Sequence, residues 1–173
     1  MAFCDLLRTT VLLAAGAATV LAAVTAIVVG TTVDTLTLFV ALGWWAIALV
    51  GGLVLGRPSQ AAEAMAPVLA QARTSTTMPE IGNPARAALA RLWPIALFAI
   101  LAGAAGLWFP QVPAIATGFA LGVASAWRNR EAAVTAVEER DGICFYVEHG
   151  SAFDPIRLIR TPGLRRGAAG SPS

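Results

Sequence analysis

The chain has 173 residues, 57% of them hydrophobic and only 13% charged, and its mean hydropathy is +0.72. An average soluble domain carries about 25% charged residues, so a water-soluble globule of this size is excluded and an integral membrane protein is indicated. A net charge of +2 is too small to argue for nucleic acid; its distribution says more, because all 12 basic residues are arginines placed outside the apolar runs.

Four such runs can be read, at about 11–30, 36–56, 92–109 and 111–127. At about 17 to 21 residues each they reach roughly 26 to 32 Å as helix, matching a hydrocarbon core of about 30 Å. They are continuously apolar rather than alternating, which argues against a membrane β-barrel. Helices also satisfy their own backbone polar groups, as lipid requires. The expected fold is an all-α membrane protein, a transmembrane four-helix bundle of two antiparallel hairpins over residues 1–127, with a small cytoplasmic β-hairpin or meander as its tail.

The first run follows Arg8. Val24-Thr25-Ala26 offers a small-residue cleavage site, but the apolar stretch continues through Ile27-Val28-Val29 and exceeds the usual signal length, so it reads as a retained span. Ala14, Ala18, Ala22, Ala26 and Gly30 recur every fourth residue along it. A short turn, Thr31 to Thr35, leads to the second run. There Trp44 and Trp45 fall near mid-span, and Ala48, Gly52 and Gly56 repeat the small-residue spacing. Indole N–H groups in lipid need acceptors, so both tryptophans are expected to pack on other helices; a site for a lipid tail, quinone or pigment is the alternative.

The connection 57–91 carries Arg57, Arg73, Arg86 and Arg91 against Glu63 and Glu80. Its alanine-rich start, from Pro58 to Arg73, predicts a short helix interrupted at Pro67, and Thr74 to Gly82 a polar linker. Asn83 and Pro84 form a helix-start signal, so the third helix should begin outside the membrane and kink at Pro94. Ala99 and Gly103 are its small pair. After a turn at Phe109-Pro110-Gln111-Val112-Pro113, the fourth run presents Ala114, Gly118, Gly122 and Ala126. Small residues let helices approach closely in lipid. These ridges are expected to pack the bundle together, or, in the sharper reading, the ridge on the fourth run meets another chain.

Residues 128–166 read as a small cytoplasmic module and 167–173 as a disordered tail. Asp141-Gly142 is a hairpin signal, with a strand at Ile143, Phe145 and Val147, a partly β-branched Val134 to Val137 before it that could equally prolong the fourth helix, and a further strand within Pro155 to Thr161. Such a sheet is marginal alone. Phe145, Tyr146, Val147, Ile156 and Leu158 are therefore expected to bind a partner. Trp93, Trp108 and Trp127, with Arg91, Arg128 and Arg130, are expected at the membrane interface. Seven arginines follow the fourth run and none lies in the two short turns, which places both termini in the cytoplasm of a multi-pass plasma-membrane protein.

Chemistry has little material. No ionisable residue lies within a run, and the hydroxyls there (Thr19, Thr25, Thr37, Thr117, Ser125) are expected to bond neighbouring backbone. His149 is the single histidine, and Cys4 and Cys144 are isolated on the reducing side. Glu138-Glu139-Arg140-Asp141 reads as a solvated cluster. No catalytic residue, metal or cofactor is expected. The expected role is that of a non-catalytic subunit, scaffold or assembly factor of a larger membrane complex. Its expected partners are the lipid bilayer and another membrane protein or further copies of itself, and the alternative is a small oligomeric transporter or channel.

Overall fold

The computed structural model describes residues 1–32, 35–75, 84–109, 111–148, 154 and 156–162. It is mostly helical: α1 (Phe3–Thr32), α2 (Thr35–Leu55), α3 (Pro58–Ala70), α4 (Pro84–Ala105), α5 (Gln111–Trp127) and α6 (Arg130–Asp141). Three short strands, β1 (Arg73–Thr74), β2 (Ile143–Val147) and β3 (Leu158–Pro162), complete it. Three helices, α1, α2 and α4, are long and apolar enough to cross a membrane.

Continuity of apolar residues explains the helices, and their ends refine the expected bounds. Helix α1 starts eight residues before the apolar run at Val11. Its 30 residues reach about 45 Å, half as long again as a bilayer core. Helix α4 begins at Pro84, as its start signal predicts, but ends at Ala105, so Trp108 lies past its end. Pro67 sits inside α3 without interrupting it.

Helix α5 packs extensively against both α2 and α1, while α1 also carries α4. The hairpin partners α1 and α2 touch only slightly, and so do α4 and α5. The short turns thus join helices whose main contacts lie with other helices. Helix α2 is left at one edge, with Ala41 and Gly52 its buried residues.

The buried stripe of α1 runs through Leu7, Thr10, Ala14, Ala18, Leu21, Thr25 and Val29. This departs from the every-fourth-residue ridge after Ala18, because a spacing of four advances about 40° past a full turn at each step of a 3.6-residue helix. Ala26 and Gly30 are accordingly exposed.

Beyond the apolar runs the tail differs from a meander. The sheet order is β1-β3-β2, with β1 parallel to β3 and β2 antiparallel to it. Ser75 N–H extends the β1 edge to the Arg160 carbonyl at 3.0 Å. On the other edge Ala2 bridges Tyr146, and Val147 N–H donates to the Met1 carbonyl at 3.0 Å. Three distant segments thus share one sheet: the N-terminus, the connection after α3, and the C-terminal region. Asp141-Gly142 is not a hairpin turn. It ends α6, with Gly142 at φ 63°, ψ 34° and its N–H on the Glu138 carbonyl, a left-handed cap that glycine adopts without steric cost. Val134 to Val137 lie within α6 and form no strand.

One apolar core joins these parts. Phe3, Cys4, Leu6 and Leu7 from the first turns of α1 pack with Met65, Leu92, Val134, Ile143, Phe145, Val147 and Leu158. The sheet that was too small to stand alone rests on α1, α3 and α6. Asn83, Pro110, His149, Pro155 and the expected disordered tail lie outside the described residues.

Candidate functional site

Two concave regions stand out. The first lies between α2 and α5, where the small-residue ridges meet. A Cβ added at Gly52 would fall 2.7 Å from the Gly122 carbonyl and 2.8 Å from Ser125 Cβ; one at Gly56 would strike the Ser125 carbonyl and lie 3.1 Å from Ala126 Cα. The two backbones therefore approach so closely that only glycine fits on α2. Gly122 is less constrained, since a Cβ there would meet only the Ala48 carbonyl at 3.6 Å. Gly118 is covered by the Trp44 indole. The ridge of Ala114, Gly118, Gly122 and Ala126 thus meets Ala48, Gly52 and Gly56 within the chain. The sharper expectation, that it faces another chain, is corrected.

Both mid-span tryptophans find acceptors across this contact. Trp45 Nε1 donates to the Ala114 carbonyl at 2.7 Å, and Trp44 Nε1 to the Ile115 carbonyl at 3.2 Å. Trp44 also stands edge-on to Phe119, with ring centroids 5.5 Å apart. At the far end Asn129 Nδ2 donates to the Gly56 carbonyl at 2.6 Å, satisfying a free carbonyl at the end of α2. The second half of α2 thus runs parallel to α5 and is pinned at both ends of that contact. Between the pins remains an open apolar groove of about 340 Å³, lined on α2 by Trp44, Gly51 and Leu55 and on α5 by Phe119, Val123 and Trp127.

At the foot of that groove the Arg130 guanidinium lies 4.2 Å from the centre of the Trp127 ring, a cation–π geometry. Burial holds the Arg130 pKa below its ordinary value. Arg128 and Arg57 are exposed. Arg91 Nη2 donates to the Asp154 carbonyl at 3.2 Å. Trp93, within α4, and Trp108, beyond its end, are exposed.

The second region, about 400 Å³, lies under α3 and α6. Met65, Leu69, Val137 and Phe145 are among its apolar walls, and Arg140, Asp141 and Arg160 supply its polar ones. The Arg140 Nε to Asp141 Oδ1 pair, 2.8 Å apart, holds the Asp141 carboxyl below its ordinary range. Its small stabilisation is present at neutral pH and fades as pH falls through that lowered pKa. Glu138, from the same charge run, is not solvated. It is 8% exposed, accepts Phe145 N–H at 2.8 Å, and accepts the Cys4 thiol at 3.6 Å.

Of the five residues expected to bind a partner, Phe145, Val147 and Leu158 are buried in the chain's own core, which corrects their assignment; Tyr146 is half-buried and Ile156 exposed. Both cysteines are buried thiols, and neither is joined in a disulfide. Thr19, Thr25 and Thr117 donate to carbonyls four residues earlier. Among the described residues no group of three or more His, Cys, Asp or Glu is placed to hold a metal. Sequence reasoning missed Asn129, masked between two arginines, and Glu138, masked in a charge run; neither carries a local signal of its distant partner.

No family model matches this sequence, and no curated protein or solved structure shows significant similarity to it. Its class, a helical protein with three candidate membrane-spanning helices and a small sheet, rests on the physical features above.

Proposed function

We propose that the chain is a four-span protein of the plasma membrane, with both termini cytoplasmic, which acts without catalysis as a subunit, scaffold or assembly factor of a larger membrane complex. The outer face of α2 carries this reading. Leu36, Val40, Ile47, Val50 and Val54 fall on one helical row, 40% to 74% exposed, on the helix at the edge of the layer. A partner helix can lie along such a row with the van der Waals contact that drives association in lipid.

The fourth span is α5. Its 17 residues reach about 26 Å, and it runs beside α2 from the Trp45–Ala114 bond to the Asn129–Gly56 bond. Arg57, Arg91, Arg128 and Arg130 all fall at the end where the sheet and α3 lie, which supports placing that end in the cytoplasm. The transporter alternative needs polar groups facing a pathway, whereas Thr19, Thr25 and Thr117 direct their hydroxyls to their own helices.

Cysteines replacing Ile47 and Val50 test the docking face by crosslinking in native membranes. A discrete adduct with a second chain is expected. A lone monomer in mild detergent, with no adduct from either position, would overturn the reading. Orientation is checked separately by cysteines at Thr32, labelled from outside, and at Ser75, labelled only after permeabilisation.

A further inference from the structure

We infer that the groove between α2 and α5 holds one acyl chain of an anionic phospholipid from the leaflet nearest the small sheet, with the phosphate received by Arg130 and its neighbours Arg57 and Arg128. This rests on the proposal that α5 lies in the bilayer beside α2.

Shape, length and charge converge on that occupant. From Trp44 to Leu55 the groove follows about 16 Å of helix, close to half of a bilayer core of about 30 Å. It therefore runs from the interface to the midplane, as one tail does. Its walls are apolar, and it is open along one side to the surroundings. Glycines leave the space: at Gly51 an added Cβ would have nothing within 4 Å. The end of the groove is not apolar. Trp127 closes it, and Arg130 stacks on Trp127. The Asn129–Gly56 bond draws the start of α6 against the end of α2, where Arg57 follows. Arg130 is partly withdrawn from water, which lowers its pKa through burial alone. A lipid phosphate would compensate that lost solvation, and a guanidinium suits it geometrically. A free phosphate would leave the groove empty, and a neutral tail would leave the arginines unmatched.

Native mass spectrometry of the full chain, reconstituted in nanodiscs containing equal phosphatidylglycerol and phosphatidylcholine, reads the site directly. The wild type is expected to retain one phosphatidylglycerol after extraction. Gly51→Leu fills the groove without striking the fold and should lower retention of both lipids by about tenfold. Arg130→Gln should keep the tail site but lower the preference for phosphatidylglycerol by about fivefold, while Arg86→Gln, on α4, leaves it unchanged. Undiminished adducts in Gly51→Leu would mean annular lipid only and would overturn the tail site. Equal retention of both lipids by the wild type would overturn the headgroup assignment. A Ser75 cysteine in the Gly51→Leu protein separates the two failures. If it still labels only after permeabilisation, and cysteines at Phe109 and Glu148, on either side of α5, label from outside and only after permeabilisation respectively, α5 crosses the bilayer whatever the lipid result.

Discussion

Glu138 belongs to a run of four charged residues, yet among the described residues it is the one charged side chain that is buried. The backbone explains this. Helix α6 turns Glu138 inward beneath β2, where Phe145 N–H requires an acceptor, and the Cys4 thiol supplies a second contact from α1. One side chain therefore ties three separate segments. Glu138→Ala would leave the buried Phe145 N–H unsatisfied, at a cost of about 1–3 kcal/mol. Glu138→Gln keeps a carbonyl acceptor and should lose clearly less. Thermal unfolding of the detergent-solubilised protein measures both, and equal midpoints for the two variants would refute the role given to this bond. Trp44 and Trp45 make the same point inside the apolar layer. Their N–H groups reach carbonyls of α5, an arrangement possible because each carbonyl has two lone pairs and one can serve a second donor.

The α2–α5 contact is decided by which glycines carry backbone close approach. Sequence spacing singles out Gly118 and Gly122; Gly118 lies against the Trp44 indole, but the closest approach of backbone to backbone belongs to Gly52 and Gly56. Gly52→Ala and Gly56→Ala push a methyl into the backbone of α5, which cannot retreat without breaking the Asn129 and Trp45 bonds. Overpacking of this kind costs about 1–3 kcal/mol. Gly122→Ala meets ordinary van der Waals contact and should change stability by less than about 0.5 kcal/mol. Comparing the three midpoints checks the assignment, and a Gly122 variant as damaged as the other two would contradict it. Helix α1 shows the limit of fixed spacing. Its alanine ridge and its buried stripe part after Ala18, since the stripe follows the turn of the helix rather than the repeat.

At the scale of the whole molecule, the first turns of α1 lie outside the apolar layer and form part of the core under the sheet. Cys4 is 1% exposed there. Truncation after residue 142 removes β2 and β3, and with them Phe145, Val147 and Leu158 from that core. Cys4 is then expected to react with a soluble maleimide in permeabilised membranes at least about tenfold faster than in the full chain, because exchange no longer requires opening of the core. An unchanged rate would show that the sheet does not cover Cys4. The core also makes the N-terminus structural, so a bulky extension fused directly at Met1 must accommodate the Met1–Val147 bond.

Much of the helical layout was legible because hydrophobicity acts segment by segment. Gln111–Trp127 coincides with the apolar run, and Pro84 opens α4 where a helix-start signal stands. The strand at Ile143 to Val147 could likewise be read from its residues. The first turns of α1 could not, because Asp5, Arg8, Thr9 and Thr10 break the apolar pattern although Phe3, Cys4, Leu6 and Leu7 are buried. Asp141-Gly142 suits a hairpin or a helix cap equally well, and only the residues before it, held in α6, select the cap. Arg73 and Thr74 have no strand signal; the free edge of β3 makes them a strand.

By itself, then, the sequence determined that the long apolar segments become helices, since a helix satisfies its own backbone polar groups wherever water is excluded. The tertiary structure alone decided which helices touch, that the small-residue ridges of α2 and α5 meet within the chain, and that the first turns of α1, α3 and the strands β2 and β3 share one core. Those outcomes depend on contacts between residues far apart in the chain, and no local pattern encodes them.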